Sequence, residues 1–129
     1  MKYIPKISES EWEIMKVIWG NHPIPAERIL SELPDTIVWS DQTVRTFINR
    51  LLKKKAISYE KSGRSYLYYP LVSEKECVQA ESQSFLKRVF GGAEAILVTN
   101  FLEEAHLSEQ EIERLEQILL EKKEKKNEL

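Results

Sequence analysis

The segment WSDQTVRTFINRLLKKK, at positions 39–55, combines apolar and polar residues in a helical rhythm. The apolar residues recur at the spacing of one helix face: Val44, Phe47, Ile48, Leu51 and Leu52. The other side carries amides, hydroxyls and cations, and Asp41 is its one acid. Arg can make two hydrogen bonds to guanine, Asn and Gln can do so to adenine, and a Thr methyl can contact thymine. Residues of these types on one helix face could therefore read the major groove of duplex DNA.

The candidate contact residues differ in the chemistry that they offer. Side chains in the middle of the helix suit base edges, whereas the lysines at its far end suit backbone phosphates. Arg64, next to Gly63 in a predicted turn, could reach the flanking minor groove or its phosphates. The candidate set is Ser40, Gln42, Thr43, Arg45, Thr46, Asn49, Arg50, Lys53, Lys54 and Arg64. An amphipathic helix with a polar outer face is also ordinary on any globular protein, so a module that only contacts an acidic protein partner is the alternative.

The distribution of charge indicates an anionic partner. The whole chain has a net charge of −2, but residues 42–64 contain seven lysines or arginines and one acid, Glu60. A local positive field of this kind attracts phosphate groups or an acidic surface.

The composition bounds the class of protein. The chain has 129 residues, of which 42% are hydrophobic, as in globular proteins. No apolar run approaches the roughly 20 residues needed to cross a bilayer, and MKYIPK leads into a helix signal rather than a secretory peptide. Cys77 is the one cysteine, and neither His22 nor His106 has a cysteine or a second histidine at metal-binding spacing. We therefore expect a cytoplasmic protein without membrane insertion, cofactor or metal, and the absence of a phosphate loop or HExxH motif argues against an enzyme.

Caps and periodicity predict the elements around the polar helix. Ser8 and Glu11 have the spacing of a capping box that starts a first helix. The buried side of that helix is marked by Trp12, Met15, Ile18 and Trp19. A short second helix is predicted over 25–33, and two strands at about 57–61 and 65–69 follow the polar helix. Three helices and a ribbon are the order of a winged helix-turn-helix, so we expect a mostly α fold with a small β-ribbon.

The sequence after the ribbon predicts three further helices. We therefore place a winged-helix domain at 1–72 and a helical dimerisation domain at 73–129. The apolar side chains of the second region are more than three short helices could hide alone, and a second copy would bury them. Packing on the winged-helix domain of the same monomer is the alternative. The candidate dimerisation residues are Val78, Phe85, Val89, Ile96, Leu97, Phe101, Leu102, Ile112, Leu115 and Leu119.

Four segments together resemble a known family. EWEIMKVIW, WSDQTVRTFINRLLKK, YYPLVS and VTNFLEE are similar to the bacterial repressors of penicillinase and methicillin-resistance genes. The similarity runs over roughly residues 5–122. It implies a homodimeric transcriptional repressor of a β-lactam-resistance-type or related gene, in which the winged helices bind a dyad-symmetric DNA operator and the C-terminal helices join the two protomers.

The resemblance also implies a way in which the repressor is inactivated. Members of this family are inactivated by proteolysis at an Asn-Phe bond in the dimerisation helices, by a membrane-linked sensor protease. That position corresponds here to Asn100 and Phe101, although from the residues alone Phe101 is simply a core aromatic. The copper-responsive relatives carry paired cysteines near the C-terminus, and because this chain has only Cys77, that metal switch is not expected.

Overall fold

The structure is a computed structural model that describes residues 2–128. Its elements are α1 Glu9–Gly20, α2 Ala26–Glu32, α3 Asp41–Lys53, β1 Ile57–Ser62, β2 Ser65–Pro70, α4 Glu74–Phe90, α5 Glu94–Glu104 and α6 Glu109–Asn127. The mostly α-helical fold with one two-stranded ribbon, predicted from the sequence, is confirmed. The chain divides into two compact units, here called unit 1 and unit 2, with the division between Phe85 and Leu86.

The start of α1 is held by the predicted capping box. The Ser8 hydroxyl accepts a hydrogen bond from the Glu11 amide at 3.2 Å, and the Ser8 amide donates to the Glu11 carboxylate at 2.9 Å. The buried residues of this helix include Ile14 and Val17 as well as the predicted Met15 and Ile18. The two tryptophans are only half-buried, and their rings meet edge to face at 5.7 Å. The buried side of α1 is therefore wider than the sequence pattern indicates.

The apolar stripe of α3 packs into the core of unit 1. Val44, Ile48 and Leu51 are fully buried, and Phe47 and Leu52 pack against the same cluster. This arrangement confirms the helix face predicted from the sequence spacing. It orients the other side of α3 away from the core.

A left-handed residue ends α3 and turns the chain into the ribbon. The Ala56 amide donates to the Leu51 carbonyl at 3.0 Å and the Lys55 amide donates to the Leu52 carbonyl at 3.1 Å, which is the hydrogen-bond pattern of a Schellman motif. Lys55 has a φ of 61°, a conformation that glycine usually adopts at this position.

The ribbon is an antiparallel pair with a two-residue turn. Ser62 pairs with Ser65, and Gly63, at a φ of 62°, takes the first turn position. Both strands continue one residue beyond the predicted ends. Ile24 also exchanges two backbone hydrogen bonds with Tyr68, at 3.0 and 2.8 Å, and so ties the segment before α2 to the ribbon.

The first part of α4 belongs to unit 1. Cys77 is buried in the same core cluster as Val72, and the Trp19 indole donates to the Val72 carbonyl at 2.9 Å. Burial raises the pKa of the Cys77 thiol. Unit 1 therefore extends to Phe85, beyond the boundary at residue 72 that the sequence predicts.

Unit 2 contains the end of α4 together with α5 and α6. A second capping box starts α6, where the Ser108 hydroxyl accepts from the Glu111 amide at 3.1 Å and the Ser108 amide donates to the Glu111 carboxylate at 2.9 Å. None of residues 86–128 is buried. Phe101 is 62% exposed, so the expectation that it is a core aromatic is wrong for the single chain.

A buried ion pair joins α1 to the end of α3. The Glu11 residue is 1% exposed, and its carboxylate accepts a hydrogen bond from the Lys54 ammonium, which also donates to the Lys6 carbonyl at 2.8 Å. Burial alone would raise the pKa of Glu11, but the hydrogen bonds from Lys54 and Ser8 together lower it below its ordinary value of 4.5. Among the residues described, no buried side-chain nitrogen or oxygen lacks a hydrogen-bond partner.

We predict that Glu11→Gln lowers the free energy of unfolding by about 1–3 kcal/mol at pH 7, because hydrogen bonds to an ionised, buried group are lost. A carboxylate with a lowered folded-state pKa stabilises the fold above about pH 4.5 and loses that contribution as the pH falls through the lowered pKa. Urea unfolding of both proteins between pH 3 and pH 7 measures the difference, which should shrink toward acid. Glu13→Gln, which removes an ion pair of 3.0 Å with the exposed Lys16, is the control and should change little. An equal loss in both variants would contradict the prediction.

Candidate nucleic-acid interface

The face of α3 opposite its buried stripe carries most of the candidate contact residues. The exposed ones, including the cap residue and the hairpin arginine, are Ser40, Gln42, Arg45, Asn49, Arg50, Lys53 and Arg64. Thr43, Thr46 and Lys54 are half-buried. The structure thus brings the nine candidates at positions 40–54 together along one helix and places Arg64 at the tip of the ribbon in the same unit.

Hydroxyl groups at the start of α3 are engaged by the helix itself. The Ser40 hydroxyl accepts a hydrogen bond from the Thr43 amide at 3.1 Å and lies 3.0 Å from the Thr43 hydroxyl. The Thr46 hydroxyl donates to the Gln42 carbonyl at 2.9 Å. The Thr46 proton is therefore committed to the backbone, and toward a ligand this residue offers its methyl group and an acceptor oxygen.

Arg45 is held by an acid one turn earlier in α3. Its Nε donates to the Asp41 carboxylate at 2.8 Å, and both side chains are exposed. This hydrogen bond, together with the charge of Asp41, raises the pKa of Arg45 above its ordinary value. The guanidinium is charged at any pH of interest, and its direction is restricted by the carboxylate.

Arg50 is supported by an aromatic pair. Its guanidinium lies 5.6 Å from the centre of the Phe47 ring, and the Phe47 ring lies 5.0 Å from that of Trp39. Trp39 and Phe47 are both half-buried, so they connect the exposed cation to the core of unit 1.

The lysines that end α3 differ in their surroundings. Lys53 is exposed, whereas Lys54 is half-buried and paired with Glu11. Together with Lys55 and Lys6, they line an open groove of about 700 Å³ beside the N-terminal segment. Lys53 is therefore better placed than Lys54 to neutralise a phosphate.

The ribbon adds a row of aromatic side chains that the candidate set does not include. Tyr59 and Tyr66 lie 4.6 Å apart between ring centres, and Tyr59 lies 6.3 Å from Tyr68. Tyr59, Lys61 and Tyr66 are exposed, and the ribbon register places Lys61 opposite Tyr66. Phenol and ammonium groups on one strand face can donate to phosphates. Side chains alternate between the two faces of a strand, so residues 59 and 61 share one face of the ribbon with residues 66 and 68. This alternation is the sequence signal that would have identified Tyr59, Lys61 and Tyr66 as candidates.

Between residues 2 and 128, no group of three His, Cys, Asp or Glu side chains lies close enough to hold a metal ion. None of the helices described is both long and apolar enough to cross a membrane.

Three helices around one core, followed by an antiparallel ribbon, make unit 1 a winged helix, and the donor-rich outer face of its third helix is typical of winged helices that bind DNA. A model of the penicillinase repressor family matches residues 7–121. The chain belongs to this family of transcriptional repressors and is not an enzyme. The resemblance inferred from its four sequence segments is confirmed.

Individual relatives match most of the chain. The penicillinase repressor of Bacillus licheniformis is 43% identical over 128 residues, which cover 99% of this chain and all of the relative. The methicillin resistance regulatory protein MecI of Staphylococcus aureus is 40% identical over 114 residues, which cover 88% of this chain and 93% of the relative.

Two solved structures resemble part of the chain. The solution structure of the DNA-binding domain of the repressor BlaI has a TM-score of 0.52 and 42% identity, and it covers 59% of this chain and 93% of its own. The solution structure of the B. licheniformis BlaI monomeric form in complex with the blaP half-operator has a TM-score of 0.51, with the same identity and coverage.

We predict that Lys54→Ala lowers the free energy of unfolding by about 1–3 kcal/mol, because it leaves the buried carboxylate of Glu11 without its cationic partner. Lys53→Ala removes the same charge from the neighbouring exposed position and should change stability by less than about 0.5 kcal/mol. Urea unfolding at pH 7 compares the two variants. Equal stabilities would mean that the contact with Glu11 contributes nothing to the fold.

Proposed function

We propose that the protein is a homodimeric transcriptional repressor that inserts α3 into the major groove of dyad-symmetric operator DNA. The observation that carries the proposal is the outer face of α3, where exposed amide and guanidinium donors stand opposite a fully buried apolar stripe. Gln42, Arg45 and Asn49 would meet base edges, and Lys53 with the ribbon-tip Arg64 would meet phosphates. A bound repressor would exclude RNA polymerase from an overlapping promoter.

The relative bound to a half-operator supports this assignment. It is 42% identical to this chain over the matched region and is described as a monomeric form on half of an operator. One DNA-binding domain per half-site implies that a complete operator needs two such domains. Two DNA-binding domains linked in a symmetric dimer bind two half-sites at once, which raises the affinity and makes binding depend on the spacing of the half-sites.

The exposed apolar side chains of unit 2 support homodimerisation. Ile96 is 56% and Leu119 57% exposed, and neither α5 nor α6 contains a buried residue. The other candidates from this region that are exposed are Val89, Phe101, Leu102 and Ile112, and Leu97 and Leu115 are half-buried. In unit 1, Val78 is exposed and Phe85 is half-buried. Fully burying an exposed side chain of this size gives about 1.5–3 kcal/mol, so a second copy that covers several of these partly exposed side chains would supply a favourable term against the entropic cost of association.

Cleavage between Asn100 and Phe101 would supply derepression. Both residues lie within α5, and both are exposed, but a helical backbone must open locally before a protease can bind it. The cut would separate α6 from the rest of the chain and weaken the dimer. We propose a membrane-linked sensor protease as the partner and a β-lactam-resistance-type gene as the target, with the repressor itself in the cytoplasm.

Duplex binding tests the proposal. A duplex selected from random sequence by the full-length protein should contain two half-sites. Deleting one half-site should weaken binding at least tenfold, because only one DNA-binding domain of the dimer can then contact its site. Binding measured by fluorescence anisotropy should fall steeply with salt, with a slope of about −0.9 per phosphate neutralised in a plot of log affinity against log salt concentration. Failure to select any sequence, with binding of acidic proteins instead, would support the protein-interaction module.

We predict that Phe101→Asp converts the dimer to a monomer, because it places a charge among apolar residues that the second copy would cover. Gln110→Glu is the control, since Gln110 shares the polar side of α6 with Arg114 and Gln117 and the same charge there should leave the dimer intact. Sedimentation equilibrium measures the mass, and circular dichroism verifies that both variants are folded. A folded, dimeric Phe101→Asp protein would contradict the proposed interface.

A further inference from the structure

The single acid of α3 lies on the face proposed to approach DNA. Asp41 is in the first turn, and its side chain is 59% exposed. A carboxylate at this position repels backbone phosphates and therefore weakens binding to every duplex. An acid favours the positive end of a helix dipole, but that end of α3 is already capped by the hydroxyl of Ser40.

The carboxylate instead restricts the direction of one guanidinium. Arg45 donates through Nε to the Asp41 carboxylate at 2.8 Å. A guanidinium has five N–H donors, and once the Nε donor is occupied, the edge formed by the two terminal amino groups is the one left for a ligand. Two parallel donors on one edge match the O6 and N7 acceptors that guanine presents in the major groove.

We propose that Asp41 is a positioning residue for sequence discrimination: it holds Arg45 so that its two terminal amino groups meet a guanine, at the expense of affinity for DNA in general. The inference rests on the proposed function and adds to it the residue that directs one base contact. Because the pair is exposed, it contributes little to the stability of α3.

This role predicts two opposite effects when Asp41 is removed. Affinity for unrelated duplexes rises, since one negative charge leaves a positive surface. Discrimination between the selected duplex and a scrambled one falls, since Arg45 is then free to turn toward phosphates. A residue that only stabilised α3 would change neither quantity in this way.

The experiment measures the ratio of affinities for a selected and a scrambled duplex, using the full-length protein. The variants are Asp41→Ala, Arg45→Ala and the double variant. The control is Glu32→Ala, which removes the same charge from another exposed i,i+4 ion pair, where Arg28 and Glu32 lie 3.3 Å apart on α2. Thermal unfolding followed by circular dichroism verifies that every variant is folded at the temperature of the assay.

The expected result is a fall in the ratio of at least about fivefold for Asp41→Ala, which corresponds to the lower end of a bidentate base contact. In the Arg45→Ala background, Asp41→Ala should leave the ratio unchanged, and Glu32→Ala should not lower it. Replacing guanines one at a time by 7-deazaguanine, which lacks the N7 acceptor, should identify one position whose loss weakens the wild type and not Arg45→Ala.

Three results would overturn the inference. If the wild type discriminates and Asp41→Ala discriminates equally well, Asp41 does not position Arg45, although the proposed function stands. If Asp41→Ala lowers the ratio as much without Arg45 as with it, the effect is not transmitted through the guanidinium. A wild type that does not distinguish the two duplexes would overturn the proposed function and this inference together.

Discussion

The position of α3 depends on a buried carboxylate that contacts the end of this helix, at Lys54, rather than its beginning at the Ser40 cap. Glu11 accepts hydrogen bonds from the Ser8 amide and from the Lys54 ammonium, and Lys54 also reaches the Lys6 carbonyl. The apolar stripe of α3 fixes its rotation about its own axis, since turning it would expose three fully buried side chains. The ion pair fixes its far end, and a buried charge that lost its partner would be strongly unfavourable.

The two units differ in how completely they bury their apolar side chains. Unit 1 has a complete core, with buried residues from α1, α2, α3, the ribbon and the start of α4. This core can hold the outer face of α3 in a fixed orientation within the unit. Unit 2 has no buried residue among those described, although its helices carry leucine, isoleucine, valine and phenylalanine. Amphipathic helices gain most of their stability when their apolar side is covered. Under the proposed function, a second copy covers that side, and the same requirement makes DNA binding sensitive to a cut in α5.

The sequence predicts the elements well because local signals decide them. Capping boxes at Ser8 and Ser108, the 3.6-residue stripe of α3 and the glycine turn are short-range patterns with one physical solution each. Contacts between distant residues were not predictable in this way. The single hydrophobic stripe assigned to α1 omitted Ile14 and Val17, because α1 is contacted on several sides, and the pairing of Glu11 with Lys54 joins positions 43 residues apart. The candidate site was predicted as a set of exposed donors. The pairing of Lys54 with Glu11 depends on how α1 packs against α3, whereas the pairing of Arg45 with Asp41 has the i,i+4 spacing of a helical ion pair, a local signal that could have indicated it.

Under the proposed function, the outer face of α3 lies in the major groove at two symmetric half-sites. Methylation of guanine N7 by dimethyl sulfate reports on that groove directly, since N7 lies there, whereas adenine N3, which the reagent also methylates, lies in the minor groove. On a selected duplex, the full-length protein should protect guanine N7 atoms in two patches related by a dyad and separated by about one helical turn, or a multiple of it. Protection of adenine N3 alone, or of a single patch with no dyad-related partner, would contradict the account.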